Sequence, residues 1–132
     1  MRYIYGVDLG GTAVKLGLFD GDGDLLEKWE IPTDRSDGGR NIPESVSAEI
    51  LRNMGARSIG RRDCLGVGIG VPGQVWPDGT VDAENLGWVR FPLPEPLRER
   101  LGLRVEADND ANAAAMGEYW RAAAGGQGAW PW

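Results

Sequence analysis

Short apolar segments separated by glycine-rich turns occupy the first third of the chain and predict three β-strands. The predicted strands cover residues 3–9, 13–19 and 25–31, which are rich in aromatic and branched residues. Gly10 and Gly11 supply the first turn, and alternating Asp and Gly residues over 20–24 are a strong signal for the second. Because tight turns join strands in antiparallel pairs, we expect a meander rather than a βαβ unit.

The rest of the chain alternates between helical and strand-like patterns. Apolar residues at near-helical spacing predict a helix over about 43–54. The segment 63–71 is the most strand-like, with valine and isoleucine on one face and three glycines on the other, which indicates that another element packs closely against that backbone. The further predicted elements are a small hairpin over 74–81, an irregular segment over 85–96 anchored by Trp88 and Phe91, a short helix over 95–101 capped by Gly102, a strand over 103–107, an alanine-rich helix over 110–124 and an unstructured tail over 125–132.

This order of elements predicts the fold class. Three antiparallel strands, followed by strands that are reached through helices, are typical of a ribonuclease-H-like or actin-like half-domain. We therefore expect an α/β protein of the actin-like ATPase type, with a mixed five-stranded sheet and flanking helices.

Composition excludes several classes of function. The 132 residues include no histidine, one cysteine (Cys64), and 20 acidic against 14 basic side chains, a net charge of −6. Without histidine there is no Ser-His-Asp or Cys-His catalysis, and one cysteine cannot supply a thiolate zinc site. The acidic balance argues against nucleic acid as a partner. Because the sequence has neither an apolar run near the roughly 18 residues of a membrane span nor a signal peptide, we expect no membrane partner and a cytoplasmic location.

The segment 8–12, with the sequence DLGGT, lies at the turn between the first two predicted strands. A turn without side chains at its tip allows backbone N–H groups to close around phosphate oxygens. It is not a P-loop, which needs a lysine, nor a Rossmann loop, because a strand follows it. The candidate residues are Asp8 for water-mediated Mg²⁺ binding, with Gly10, Gly11 and Thr12 for phosphate. A plain glycine turn is the alternative.

The segment 70–73, with the sequence GVPG, follows the glycine-rich strand and includes Gly73. An open turn at the carboxyl end of a strand is where α/β sheets bind ligands. A purely structural turn is the alternative here too.

Two acids and two amides fall within five residues at 108–112, where the last predicted strand meets the last helix. In the functional interpretation Asp110 is a general base and Asn109 orients a substrate hydroxyl; an N-cap role for Asp108 or Asn109 is the structural alternative. Phosphoryl transfer needs little covalent assistance, so one carboxylate beside the attacking hydroxyl and a phosphate-binding turn form a sufficient minimal set.

Four motifs in order resemble a known family. They are DLGGT at 8–12, GIGVPG at 68–73, NLGW at 85–88, and NDANAAA at 109–115 with Glu118. Over about residues 2–121 the chain resembles the amino-terminal half of the ROK family (repressors, open reading frames, kinases), above all its bacterial glucokinase branch. The resemblance implies an actin-like fold and transfer of the ATP γ-phosphate to a hexose hydroxyl, the 6-hydroxyl of glucose for a glucokinase.

The resemblance also implies roles by position. These are Asp110 as the catalytic base, Asn109 as a sugar contact, Gly73 in the sugar-side loop, Gly10, Gly11 and Thr12 in the phosphate loop, and Asp8 in support of Mg²⁺. Asp108 stands where the family commonly has Glu, and Ala13 where it often has Lys. A first strand that begins at residue 3 favours a kinase over a ROK repressor, which carries a DNA-binding domain ahead of this half.

Members of the family are roughly twice as long or more, and their second half supplies another phosphate loop, most of the adenine pocket, further sugar contacts and a zinc site. We therefore expect an isolated amino-terminal domain over 1–122, with a final helix from about 110 that leads toward a second domain, and a Gly/Trp tail over 123–132. Such a lobe is expected to be catalytically incomplete and to form a homo-oligomer, for which a domain-swapped dimer is one route. The alternatives are a sugar-sensing regulatory module and an oligomerisation module without catalysis. The choice of hexose, and of ATP or polyphosphate as donor, stays open.

Overall fold

The computed structural model of the chain describes residues 2–109. Its strands are β1 (Tyr3–Leu9), β2 (Ala13–Asp20), β3 (Leu25–Pro32), β4 (Cys64–Val71), β5 (Gln74–Val75), β6 (Val81–Ala83), β7 (Trp88–Phe91) and β8 (Val105–Asn109). Its helices are α1 (Ile42–Arg57) and α2 (Pro94–Leu101), and short 3-10 turns cover Ser36–Gly39, Arg61–Asp63 and Glu84–Leu86. The predicted helix from about 110 and the tail lie outside the described residues.

The main sheet is mixed and has five strands in the order β3-β2-β1-β4-β8. β1 pairs antiparallel with β2 and parallel with β4, while β8 pairs parallel with β4. The antiparallel meander and the mixed five-stranded sheet are therefore confirmed. Parallel β1, β4 and β8 end at the same edge of the sheet, and this edge carries the residues considered below.

One face of the sheet carries the hydrophobic core. Alternate residues of β1, β2 and β4 are buried together with apolar residues of α1 and α2, including Ile50 and Leu97. The Tyr5 hydroxyl donates a 2.8 Å hydrogen bond to Asn53 Oδ1 within this core, and burial raises the pKa of Tyr5 above its ordinary value. Burying these side chains is the main source of stability for a chain of this size.

The opposite face is rich in glycine. Gly6 in β1 pairs with Gly17 in β2 and with Gly68 in β4, so three neighbouring strands carry no side chain along one row. A Cβ at Gly66 would lie 2.8 Å from the Arg104 carbonyl oxygen, which accepts a hydrogen bond from the Val67 N–H, so this close approach lies within the sheet. Gly68 and Gly70 are buried, but the element expected to pack against them stays a prediction.

Several boundaries differ from the prediction. α1 continues beyond Met54 because Gly55 faces open space and costs only helix propensity; the helix ends where Ser58 adopts a left-handed conformation. The segment predicted to be irregular over 85–96 contains β7, which extends the predicted hairpin into a three-stranded sheet in the order β5-β6-β7. Trp88 does anchor this region: its ring is buried and stacked on Phe91 with centroids 4.1 Å apart.

The last described strand lies two residues later than predicted. β8 includes polar Asp108 and Asn109 because β4 continues to Val71, which gives Asn109 a pairing partner. Strand pairing across the sheet thus overrides the local preference of Asp and Asn for turns. Within residues 2–109, no helix has the length and apolar character that crossing a bilayer requires.

Candidate functional site

The turn between β1 and β2 is closed by its own backbone. The Gly10 N–H donates to the Ala13 carbonyl oxygen at 2.9 Å, so this N–H is already used inside the turn. Within residues 2–109, neither the Gly11 nor the Thr12 N–H donates to a backbone acceptor. Of the predicted phosphate-binding donors, Gly11 and Thr12 therefore have N–H groups to offer, whereas Gly10 shapes the turn.

Thr33 binds this turn from the end of β3. Its hydroxyl donates to the Gly10 carbonyl oxygen at 2.8 Å, and its N–H donates to the Thr12 carbonyl oxygen at 3.0 Å. The register places Thr33 there because Ala13 pairs with Pro32, the last residue of β3. Thr33 was not among the predicted site residues; its position as a hydroxyl residue directly after a strand-ending proline was the only local signal.

Asn85 lies against the tip of the same turn. A Cβ at Gly11 would approach Asn85 Nδ2 to 3.2 Å, which is tighter than ordinary van der Waals contact. The NLGW motif and the DLGGT motif, far apart in sequence, therefore meet in the fold. No role was assigned to Asn85 from the sequence, because nothing local indicates which loop it faces.

Two carboxylates flank Gly70 on the glycine face. Gly70 in β4 pairs with Asp8 in β1 and with Asp108 in β8, so the two aspartates are two strand spacings apart, about 10 Å. Lys15 in β2 lies directly opposite Asp8 on the same face. Asp8 is half-buried. Because Gly70 has no side chain, the space above it lies open between the two aspartates, with Lys15 on the far side of Asp8.

Gly73 and Asn109, which the sequence placed in separate motifs, are in contact. Asn109 Nδ2 donates a hydrogen bond to the Gly73 carbonyl oxygen, which ties the turn after β4 to the end of β8. A Cβ at Gly73 would lie 1.9 Å from the Asp82 carbonyl oxygen and 3.0 Å from the Ala83 Cα, so β6 packs directly on this glycine. The glycine is needed for this close approach of two backbones.

Hydrogen bonds and a cation–π contact stabilise the small sheet, whose strand β6 packs on Gly73. Asp82 Oδ1 accepts a 2.7 Å hydrogen bond from the Arg90 N–H, and the Arg90 guanidinium stacks over Trp76 at 3.9 Å from the ring centroid. The Thr80 hydroxyl and the Thr80 N–H both donate to the Asp78 carboxylate. Both bonds lower the pKa of that carboxyl, the hydroxyl more than the N–H. The turn from β5 to β6 is therefore held by Arg90 at Trp76 and by the bonds between Thr80 and Asp78.

The structure brings the predicted site residues together in two groups at one edge of the main sheet. The first group is the turn with Asp8, Gly10, Gly11 and Thr12, and the second is the pair Gly73 and Asn109. Asp110, the predicted general base, lies outside the described residues. The roles of all seven residues stay predictions. The six that are described lie at one edge of the sheet, which is what a shared binding site requires.

Comparisons with known proteins identify relatives of the chain. The model of the ROK family matches residues 4–129. A glucokinase from Halalkalibacterium halodurans is 39% identical over 127 residues, which cover 95% of this chain and 38% of the relative. A putative xylose repressor from a Caldicellulosiruptor species is 36% identical over 119 residues, covering 89% of this chain and 30% of the relative.

The crystal structure of a ROK family glucokinase from Streptomyces griseus in complex with glucose and AMPPNP is also similar. It matches 89% of this chain and 36% of its own length, with a TM-score of 0.67 and 36% sequence identity. The chain spans little more than a third of the glucokinases that it matches. The family model that matches the chain and the actin-like fold that it shares with ROK kinases lead to the same conclusion. The chain belongs to the ROK family and corresponds to an amino-terminal part of its glucokinase-like members.

Proposed function

We propose that the chain is the amino-terminal lobe of an ATP-dependent hexose kinase that phosphorylates the 6-hydroxyl of glucose. The observation that carries this proposal is that the glycine-rich turn between β1 and β2 lies at the same edge of the sheet as the Gly73–Asn109 pair. The Streptomyces griseus relative, bound to glucose and AMPPNP, supports both ligand classes.

The residues of the first turn fit a nucleotide phosphate. The Gly11 and Thr12 N–H groups and the exposed Thr12 hydroxyl offer donors without a bulky side chain at Gly11. Half-buried Asp8, at the end of β1, is suited to hold hydrated Mg²⁺, which when bound offsets the negative charge of the phosphates. Lys15, opposite Asp8, adds a positive charge on the same face.

The residues of the second group fit the sugar acceptor. The bond to the Gly73 carbonyl fixes the amide plane of Asn109, so this side chain can orient a sugar hydroxyl. Asp110 follows Asn109 directly in the chain and is proposed as the general base. It takes the proton of the 6-hydroxyl while that oxygen bonds to the γ-phosphorus, the bond from that phosphorus to ADP breaks, and ADP leaves.

A lone lobe of this kind is expected to bind sugar weakly and to turn over very little. Kinase catalysis of this type needs two lobes that close over both substrates and exclude water, and the chain spans about a third of its kinase relatives. We further propose a cytoplasmic homo-oligomer, for which a domain-swapped dimer of this lobe is one route. Nucleic acid and membrane are not expected partners, given the net charge of −6.

The test is a chimera in which this chain replaces the matched segment of the Halalkalibacterium glucokinase. We expect ATP-dependent formation of glucose 6-phosphate, measured by a coupled dehydrogenase assay, with the parent enzyme as reference. Asp110→Asn should lower kcat by about 10²-fold or more while glucose binding persists, and Asn109→Ala should weaken both. An Asp110→Asn chimera as active as the unsubstituted one would contradict the proposed mechanism.

A sugar-sensing module is the second candidate, and the repressor among the relatives favours it. It predicts ligand binding without turnover. A folded chimera that binds glucose, gives no product, and binds equally well with Asp110→Asn would support the sensor and contradict the kinase. Replacing ATP by polyphosphate in the same assay identifies the phosphate donor.

A further inference from the structure

The turn between β1 and β2 contains two adjacent glycines, yet Thr33 holds two of its three carbonyl groups in place, those of Gly10 and Thr12. We propose that Thr33 is a positioning residue that aims the Gly11 N–H at the phosphate of a bound nucleotide. The inference rests on the proposed function of this turn and adds to it a residue that contacts no substrate.

The geometry of the peptide group carries the argument. A trans peptide is planar, so its carbonyl oxygen and the following N–H point in opposite directions. The Thr33 hydroxyl holds the Gly10 oxygen at 2.8 Å, on the β3 side of the turn. The Gly11 N–H therefore points away from β3, and it makes no backbone hydrogen bond within residues 2–109.

The second bond of Thr33 fixes the other side of the tip. Its N–H donates to the Thr12 oxygen, so the peptide groups that flank Gly11 and Thr12 are both tethered to one residue. Asn85 lies against Gly11 and limits its movement toward the small sheet. Because glycine has wide conformational freedom, an untethered Gly10–Gly11 turn would lose more entropy on binding phosphate.

Two substitutions at Thr33 separate the hydroxyl from the size of the side chain. Thr33→Val removes the donor at nearly constant volume, and Thr33→Ser keeps it. Ser45→Ala is the matched control, because Ser45 also donates from its hydroxyl to a backbone carbonyl oxygen, that of Asn41 at 3.1 Å, but lies in α1. The ¹⁵N-labelled chimera with the Halalkalibacterium glucokinase is titrated with Mg·AMPPNP, and the amide signals of Gly11 and Thr12 are followed by NMR.

We expect Thr33→Val to weaken AMPPNP binding about fivefold or more, the effect of one lost neutral hydrogen bond, while Thr33→Ser and Ser45→Ala change it by less than about twofold. In the free protein, the Gly11 order parameter should be near 0.85 in the unsubstituted chain, roughly the value of rigid backbone, and fall toward 0.6 in Thr33→Val. A purely structural role would lower the urea midpoint without moving either quantity.

The outcomes distinguish this inference from the proposed function. If AMPPNP shifts no amide of the turn in any variant, the phosphate-binding role of the turn fails, and the order parameter of free Gly11 still decides the role of Thr33. Equal AMPPNP affinity and equal Gly11 order in Thr33→Val would overturn the positioning role. A Gly11 order parameter below about 0.6 in the unsubstituted chain would overturn it without any variant.

Discussion

Gly73→Ala should destabilise the protein because its Cβ would enter the backbone of β6. The added atom would lie 1.9 Å from the Asp82 carbonyl oxygen, whereas ordinary contact begins at 3.4 Å, so β6 must move by more than an ångström. That movement strains the bond between Asp82 and the Arg90 N–H and the contact of Gly73 with Asn109. Overpacking that forces a backbone shift of this size costs about 3 kcal/mol, the upper end of the usual range.

The matched control is Gly55→Ala, the same substitution where nothing lies within 4 Å of the new atom. Gly55 is in α1, so alanine should stabilise the protein by about 0.5–1 kcal/mol through helix propensity. Urea unfolding followed by circular dichroism measures both: with an m-value of about 2 kcal/mol/M, the Gly73→Ala midpoint should fall by about 1.5 M. Equal stability of the two variants would refute the steric argument.

The remaining predictions concern buried and half-buried polar groups. Tyr5→Phe leaves buried Asn53 Oδ1 without its donor and should cost about 1–2 kcal/mol in urea unfolding; an unchanged midpoint would contradict this. The amide of Asn53, and then Arg57, lower the pKa of Glu27, so the unfolded chain binds the proton more readily. Stability should therefore fall as the pH drops from the ordinary value of 4.5 through the lower folded value, and Glu27→Gln should flatten this slope. Burial raises the pKa of the Cys64 thiol to about 11, so iodoacetamide at pH 7.5 should alkylate Cys64 rapidly only in urea; fast labelling of the folded protein would show that the thiol is accessible.

Local sequence signals predicted the features that depend on local chemistry. The Gly10–Gly11 turn follows from two residues that tolerate tight turns, and the alternating apolar pattern of β1, β2 and β4 follows from a sheet with one buried core face. Gly102 ends α2 in the left-handed conformation, as its position directly after the predicted short helix indicated.

The features that the sequence did not predict depend on partners far away in the chain. β7 was missed because only Trp88 of its four residues is buried and Val89 is 83% exposed, so the segment shows no alternating pattern; it is a strand because β6 pairs with it. Asn109 lies in β8 because it pairs with Val71, and its bond to Gly73 joins two motifs that are far apart in the sequence. Thr33 reaches the turn through the register of β2 and β3, which no local pattern near Thr33 indicates.

The two-sided pairing of β1 has a consequence for the order of folding. Leu9 pairs with Val14 across the first turn, whereas Tyr3 must also pair with Cys64, beyond the whole of α1. The hairpin can close in microseconds, but the parallel pairing with β4 carries a larger loop-closure entropy and must come later. During synthesis the meander leaves the ribosome before β4 exists, with the inner edge of β1 unpaired. In that interval the nascent chain exposes an edge that can pair with other chains, and this is the stage at which aggregation competes most strongly with folding.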